Sequence, residues 1–254
     1  MTDARSRHWV PVDPMRKTAL VAGVLYLVTF VIGIPPAVML APVLSDPNYI
    51  ISAGSDGQVL LASAFDIINA LACIGTAVVL FSVVRRQHEG MALGFVTTRL
   101  VEGAVILIGV VSILAVVTLR QPGATGAEGT SLVTVGSALV AVRDWTFLLG
   151  PGLMPALNAL LLGTLLYRSG LVPRWMPTVG LIGAPMLIAS TVGIFFGVNE
   201  VLSPWTAIAT APIFIWELSI GLWMTFKGFR TTAPVLASSP MTAVAPVAAK
   251  AGAA

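Results

Sequence analysis

The chain has 254 residues, of which 57% are hydrophobic and 10% charged, and its mean hydropathy is +0.94. Soluble domains carry about 25% charged residues, so this composition excludes an ordinary soluble domain and predicts a protein of the lipid bilayer. The net charge is +3. Most Lys and Arg residues lie in short stretches between apolar runs, as topology determinants do, and a nucleic-acid partner is therefore not expected.

The first 17 residues contain four basic residues ahead of an apolar run, namely Arg5, Arg7, Arg16 and Lys17. Signal peptides share this arrangement, but the run that follows is much longer than the core of about 7–15 residues in a signal peptide. Further apolar runs also come after it. We therefore expect residues 1–17 to be a cytoplasmic segment and the first run to be a retained helix.

Six apolar runs are long enough to cross a hydrocarbon layer about 30 Å thick. They lie at about Thr18–Leu44, Val59–Val84, Met91–Thr118, Trp145–Tyr167, Trp175–Val198 and Ser203–Phe226. These runs are apolar for about 20 residues or more, whereas barrel strands alternate over about 10. The sequence thus predicts an all-α fold, a polytopic bundle of six transmembrane helices over residues 18–230, with the lipid bilayer around it.

The basic residues between the runs predict the orientation of the chain. Eleven of the fourteen Lys and Arg residues lie on one side of the predicted topology: Arg5, Arg7, Arg16, Lys17, Arg85, Arg86, Arg168, Arg174, Lys227, Arg230 and Lys250. The other side has only Arg120 and Arg143, and Arg99 lies inside a run. The positive-inside rule therefore places both termini in the cytoplasm.

The second external loop, Leu119 to Asp144, contains an apolar stretch at residues 131–142. This stretch has only about a dozen residues, too few to cross, so we interpret it as an interfacial or re-entrant helix. A poorly ordered apolar loop is the alternative. In either case Arg143 and Asp144 are expected to form a polar pair at the outer edge of the fourth span.

Glycine and proline interrupt several of the runs, most densely in the fourth, which contains Gly150-Pro151-Gly152 and Pro155. An interior proline removes a backbone donor and frees a carbonyl, so kinked helices are expected. Kinks are typical of transporters and of ordinary packing alike. Residues 231–254 lack the bulky, periodic residues of a packed element, which predicts a disordered cytoplasmic tail.

Four ionisable residues lie inside the predicted spans, namely Asp66, Arg99, Glu102 and Glu217. Each would cost about 2.5–3.5 kcal/mol near a helix centre if it faced lipid, so they must face protein or water. Helical spacing places Asn69 on the face of Asp66, and Arg99 on the face of Glu102. With Asn158 in the middle of the fourth span, we expect these side chains to line one cavity near the midplane.

Charge counting gives this predicted site a functional interpretation. Arg99 neutralises one carboxylate, which leaves up to two of Asp66, Glu102 and Glu217 without a basic partner. Burial favours the neutral form of a carboxyl group, so at least one of the three is expected to be protonated or to contact water. A proton-coupled carrier needs such a group. The alternative is a buried ion pair that only fixes helix packing.

The sequence lacks the residues that metal sites, haem sites and the common hydrolase and phosphate-binding sites require. The single cysteine, Cys73, and the two histidines, His8 and His88, provide no metal or haem site, and no lysine lies in a span. A serine–histidine hydrolase would lack its base, and no phosphate-binding loop is present. We therefore expect no enzyme activity, no cofactor and no metal.

Seven stretches in a fixed order along the chain carry a family resemblance: Arg16-Lys-Thr-Ala, Asn69-Ala-Leu-Ala-Cys, Arg99-Leu-Val-Glu102, Asp144-Trp-Thr-Phe, Asn158-Ala-Leu-Leu, Val172-Pro-Arg-Trp and Pro212-Ile-Phe-Ile-Trp-Glu217. Together they resemble a family of bacterial integral membrane proteins known as domain of unknown function 4386. The resemblance covers nearly all of residues 16–230. It implies a six-helix protein of the bacterial inner membrane, and it implies no activity or substrate.

The leading functional hypothesis is a transporter or permease-like protein for a small solute, an ion or protons, with Asp66, Asn69, Arg99, Glu102, Asn158 and Glu217 at its site. The alternative is a membrane sensor, assembly partner or lipid-binding protein in which the buried charges are structural. The sequence assigns no oligomeric state.

Overall fold

A computed structural model of the chain describes residues 14–233, and every regular element in that range is helical. The nine α-helices are α1 (Pro14–Gly33), α2 (Pro35–Met39), α3 (Ala41–Ser45), α4 (Gly57–Val84), α5 (Glu89–Leu119), α6 (Gly126–Leu149), α7 (Met154–Ser169), α8 (Trp175–Phe195) and α9 (Pro204–Phe226). A 3-10 turn, Tyr49–Ile51, lies between α3 and α4. Most of the predicted N-terminal segment and cytoplasmic tail lies outside the described residues.

Six helical segments are long and apolar enough to cross a membrane, which confirms the predicted all-α bundle of six spans. They are Pro14–Met39, Gly57–Val84, Glu89–Leu119, Gly126–Ser169, Trp175–Phe195 and Pro204–Phe226. Large apolar side chains on the outer faces, such as Leu71, Val111 and Ile182, are more than half exposed, as a lipid-facing surface requires. The chain is a multi-span membrane protein.

The first span is shorter than the predicted run from Thr18 to Leu44. Helix α1 ends at Gly33, directly before Pro35 and Pro36, and the chain continues through the short helices α2 and α3. A proline inside a helix lacks its N–H and clashes with the preceding turn. The predicted break at this pair is thus present, and α2 continues the first span beyond it to Met39.

The fourth span differs most from the prediction. Residues 131–142 are not a separate interfacial helix, because α6 begins at Gly126 and continues through Arg143 and Asp144 to Leu149. The span that was expected to start at Trp145 is therefore made of α6 and α7, joined by a break at residues 150–153. Residues 131–142 alone are too few to cross a membrane, but Arg143 and Asp144 do not end the helix, which has 24 residues.

Six helices form a closed ring in the order α1, α4, α5, α7, α8 and α9, since each packs on the next and α9 packs on α1. Helix α6 lies outside this ring against α5, and its C-terminal end leads into α7. Arg16 at the start of α1 donates hydrogen bonds to the carbonyls of Met224 and Thr225 at the end of α9. Both ends of the described chain therefore lie on the same face of the bundle.

Small residues allow α1 to approach the last turns of α9 closely. A Cβ atom added at Gly23 would lie 2.5 Å from the backbone nitrogen of Thr225, and Gly221 packs against Tyr26. Toward the other face the same two helices carry Phe30 and Phe214, whose rings meet edge to face at 4.8 Å. The bundle is thus tightly packed near the chain ends and wider in its opposite half.

Candidate functional site

Arg99 is the centre of a buried network of charged side chains. Its Nη1 donates to Oε2 of Glu102 at 3.1 Å, and its Nη2 donates to Oε1 of Glu217 at 2.8 Å. The side chain of Arg99 is 3% exposed, that of Glu102 6% and that of Glu217 14%. The ring of Tyr26 lies 4.9 Å from the guanidinium, in a cation–π contact. One arginine therefore links two carboxylates from different helices.

Polar side chains from α7 and α5 complete the network. Nδ2 of Asn158 donates to the same Oε2 of Glu102 at 2.7 Å, and the hydroxyl of Thr98 donates to Oδ1 of Asn158 at 2.5 Å. Asn158 is 2% exposed. This chain of donors fixes one oxygen of Glu102, whereas no described side chain donates to its other oxygen.

The network lies near the middle of the bundle. At about 1.5 Å per residue, Arg99 is about 15 Å from the start of α5 and Glu217 about 14 Å from the end of α9, both measured from the face of the chain ends. Asn158 is about 16 Å from the end of α7. The hydrogen bonds show that Arg99, Glu102, Asn158 and Glu217 meet, and these depths place the meeting near the middle of the bundle.

A cavity of about 400 Å³ reaches this network from the opposite half of the bundle. Its walls come from α1, α4, α5, α8 and α9, and from the junction between α6 and α7. The polar lining residues are Thr29, Asn69, Cys73, Glu102, Thr191, Thr206, Thr210 and Glu217. Leu202, in the turn between α8 and α9, also lines the cavity and is 96% exposed, which marks this end as the mouth.

The charges that line the cavity are both negative. Glu102 and Glu217 belong to its wall, whereas Arg99 lies behind them, and no Lys or Arg among residues 14–233 lines it. With both carboxylates ionised, the network has a net charge of −1. The amide oxygen of Asn69, also on the wall, is buried and has no hydrogen-bond partner in the described part of the chain. Among the described residues, the wall thus has two carboxylates and no basic group.

The break between α6 and α7 forms part of the same wall through Pro151, Gly152 and Pro155. Because Pro155 has no N–H, the carbonyl of Pro151 loses the donor that a continuous helix would supply. The hydroxyl of Thr191 on α8 donates to the carbonyl of Gly152 at 3.1 Å and so replaces one helical bond. Irregular backbone is tolerated within a membrane where it lines a cavity in this way.

Asp66 does not join the network, so the prediction that all four ionisable residues meet is wrong in this respect. Its Oδ2 accepts from Nη2 of Arg143 at 2.8 Å, and the two side chains are 9% and 6% exposed. The pair lies in the half of the bundle away from the chain ends and outside the lining of the cavity. The buried Asp66 therefore has its own arginine, supplied by α6.

Arg143 and Asp144 are accordingly not the polar pair predicted at the outer edge. Arg143 is 5% exposed and faces Asp66 from the last two turns of α6, while Asp144 is exposed and forms no ion pair with any described residue. Asp144 lines a second cavity, of about 150 Å³, beside the Tyr49–Ile51 turn. Successive residues of a helix point about 100° apart, so the two neighbours cannot share one face.

Sequence reasoning missed three contributors: Tyr26, Thr98 and the partner of Asp66. The sequence did not single out Arg143 as that partner, because an Arg-Asp pair after an apolar stretch is typical of the polar end of a span. Tyr26 and Thr98 carry no signal either, since tyrosine and threonine are common in spans. Only the assembled bundle brings the ring of Tyr26 on α1 to Arg99, and only the packing of α7 against α5 brings Thr98 to Asn158.

Arg120 holds the loop at the mouth of the bundle. It donates to the carbonyl of Tyr49 at 3.1 Å, to the hydroxyl of Ser52 at 3.2 Å and to the carboxylate of Asp56. Tyr49 itself donates to Asp56 at 2.8 Å. Burial first, and then the neighbouring Asp56, raise the pKa of Tyr49 to about 12, so the phenol remains a donor.

Among residues 14–233, no three His, Cys, Asp or Glu side chains are grouped as a metal site would require. No curated protein and no solved structure shows significant similarity to the chain. One protein-family model matches the chain over residues 21–228. Its description is Domain of unknown function (DUF4386). This match runs from the first turns of α1 to just past the end of α9 and contains both buried ion-pair sites. The chain therefore belongs to the DUF4386 family of membrane proteins.

Proposed function

We propose that the protein is a transporter or permease-like protein for a small solute or ion, and that the Arg99 network at the inner end of the large cavity is its site. The observation that carries this proposal is a cavity of about 400 Å³ whose inner wall presents Glu102 and Glu217 near the middle of the bundle. Ligand sites typically have volumes of about 300–1,000 Å³. Ionisable residues inside a membrane typically mark an ion or substrate pathway.

The charge of the network supports coupling to protons. Arg99 balances one carboxylate, so one negative charge remains in a region shielded from water. A proton or a bound cation would remove this charge, and its departure would restore it. A group that gains and loses charge beside a cavity is what a proton-coupled carrier requires.

The discontinuous fourth span supports the same proposal. Transporters often place broken helices beside their site, because such a break can change shape while the rest of the helix stays intact. Here Gly150, Pro151 and Gly152 separate α6 from α7, and the last two of them line the cavity. A hinge at this position would alter the cavity without unfolding either helix.

Purified protein in liposomes tests the proposal. We expect electrical currents or pH changes when gradients of small solutes and ions are applied, and we expect Arg99→Ala to abolish them. Because Arg99→Ala leaves two carboxylates without a partner and could unfold the protein, Arg99→Lys is measured beside it; lysine keeps the charge but cannot bind both carboxylates as a planar fork. No flux from the folded wild-type protein across a broad panel would overturn the proposal.

The second candidate is a non-transporting membrane sensor, assembly partner or lipid-binding protein. The Asp66–Arg143 pair favours it, because this pair is buried, joins α4 to α6 and lies off the cavity, as expected for an ion pair with a packing role. Recovery of one stoichiometric partner whose binding survives neutralisation of Asp66, Glu102 and Glu217 would favour this candidate. Loss of flux in Glu217→Gln would favour transport.

We further propose a bacterial cytoplasmic membrane as the location, both termini in the cytoplasm, and no enzyme activity. The distribution of Lys and Arg supports the orientation, since Arg143 is now part of the interior and Arg120 is the one basic residue at the opposite face among residues 14–233. The proposal of no enzyme activity is supported by the sequence, which has no recognisable set of catalytic residues.

A further inference from the structure

We propose that the large cavity binds an amphipathic organic cation, and that one proton leaves the Arg99 network when the cation enters. This inference rests on the proposed function and names the substrate class of the same site. It adds the sign of the ligand's charge, its apolar character and the exchange of charge on binding.

The sign follows from which side chains form the wall. Glu102 and Glu217 face the cavity, and the guanidinium of Arg99 lies behind them. An anion would have to approach two carboxylates, whereas a cation would neutralise the excess charge. The C-terminal end of α6 and the N-terminal end of α7 meet at the wall, so their partial charges of opposite sign largely cancel and the side chains decide the sign.

The apolar character follows from the rest of the lining. Leu187, Ile194 and Ile213 form much of the wall, together with the rings of Phe30 and Phe214. A hydrated metal ion would have to shed its water against this surface, and the carboxylate oxygens alone would not replace its shell. An organic cation keeps its charge beside the carboxylates and buries its apolar groups, and aromatic faces attract such cations.

The exchange of a proton follows from the charge balance. The titratable or charged groups that face Glu217 are Arg99, Glu102, Tyr26 and Cys73, and Arg99 is the single cation among them. With one carboxyl protonated the network is neutral. When a monovalent cation enters, that proton leaves to solvent and the ionised carboxylate balances the ligand, so the total charge of the site is the same before and after.

Binding of tetraphenylphosphonium to the protein in lipid nanodiscs tests the inference directly. Calorimetry in two buffers of different ionisation enthalpy counts the protons released, with protein-free nanodiscs as the background. We expect saturable binding of one cation with release of about one proton, and an apparent affinity that falls roughly tenfold per pH unit on the acid side. Tetraphenylborate, which has the same shape and a negative charge, should show no saturable binding.

Variants locate the site. We expect Glu217→Gln to lose at least tenfold in affinity and to release no proton, while Glu128→Gln, an exposed carboxylate in the first turn of α6, should behave like the wild type. If Glu217→Gln does not fold, Glu217→Asp serves in its place and should retain the proton release. The wild-type pH dependence and the tetraphenylborate comparison need no variant.

The outcomes separate this inference from the proposed function. Equal binding of both probes, or cation binding without proton release, would overturn the inference. Flux of another solute by a protein that does not bind tetraphenylphosphonium would overturn the inference and leave transport standing. Proton-coupled binding of the cation without any flux would support the inference and count against transport.

Discussion

Arg99 and Arg143 are both almost fully buried, but they meet different numbers of carboxylates. Arg143 has Asp66 alone, and the pair is neutral. Arg99 has Glu102 and Glu217, and an excess negative charge remains. A buried neutral pair can serve as a helix-to-helix contact, whereas a charged network beside a cavity responds to protons and ligands. We therefore propose a structural role for the Asp66–Arg143 pair and a functional role for the Arg99 network.

The structural role of the first pair predicts how its variants unfold. Asp66→Ala leaves the guanidinium of Arg143 buried without a carboxylate, and breaking such a pair costs about 3–5 kcal/mol. The double variant Asp66→Leu with Arg143→Met removes both charges at similar volume and should recover most of the loss. Thermal unfolding in detergent measures both. Equal stability of Asp66→Ala and the wild type would contradict the assignment.

The hydrogen bond from Thr98 to Asn158 predicts a smaller effect. Thr98→Val leaves Oδ1 of Asn158 buried without its donor, which should cost about 1 kcal/mol. Thr97→Val is the matched control, because the exposed Thr97 bonds only to the carbonyl of Leu93 in its own helix. Side-by-side unfolding curves in one detergent show the difference. A control as destabilised as Thr98→Val would mean that the loss is local to α5.

For single residues, the sequence predicted which charged side chains are buried better than it predicted which side chains they contact. The cost of a charge in lipid identified Arg99, Glu102 and Glu217, and helical spacing placed them on inward faces. Asp66 satisfied the same criteria, yet it pairs with Arg143. This pairing could not be predicted, because no sequence rule says which of two arginines a buried carboxylate meets. That choice depends on α6 packing against the bundle.

The contact between α1 and α9 shows how one helix pair determines the shape of the cavity. Ala19, Ala22 and Gly23 bring α1 against α9 near the chain ends, where the helices almost touch. Larger residues separate them in the opposite half, where the cavity opens. Small residues at a helix interface are the usual means of close approach in membranes.

This contact predicts that Gly23→Ala is strongly destabilising. Its new methyl group would lie 2.5 Å from the nitrogen and hydroxyl oxygen of Thr225 and 2.8 Å from the carbonyl oxygen of Gly221, so the helices must separate. A loss of about 1–3 kcal/mol is expected for such overpacking. Gly94→Ala is the control, since its methyl group would meet only the flexible side chain of Leu161 at 3.4 Å. Comparable melting temperatures for both variants would contradict this account.

Helix α6 shows where sequence patterns fail at the scale of an element. Its residues 131–142 are too few to cross, and Arg143-Asp144 resembles the polar end of a span. The helix nevertheless continues to Leu149, because Asp66 neutralises Arg143 and Asp144 points away from it. The break at Gly150-Pro151-Gly152 could be predicted, since glycine and proline act locally and need no partner.

For the whole molecule, the closed ring and the shared face of the chain ends lead to a prediction about topology. If the basic residues face the cytoplasm, a fluorescent-protein fusion after Arg230 should fluoresce in bacterial cells, and an alkaline phosphatase inserted at Gly123 should be active. Gly123 lies in the loop between α5 and α6, on the opposite face. Phosphatase activity from a fusion after Arg230 would contradict the orientation.

The central claim is that the two buried ion-pair sites have different roles. Proton-linked flux in proteoliposomes tests it most directly, measured for the wild type, for Glu217→Gln and for the repacked variant Asp66→Leu with Arg143→Met. We predict that Glu217→Gln stays folded and loses at least 90% of the flux, as roughly expected for an essential intramembrane carboxylate, while the repacked variant keeps it. Wild-type flux from a folded Glu217→Gln, or loss of flux in a folded repacked variant, would contradict the claim.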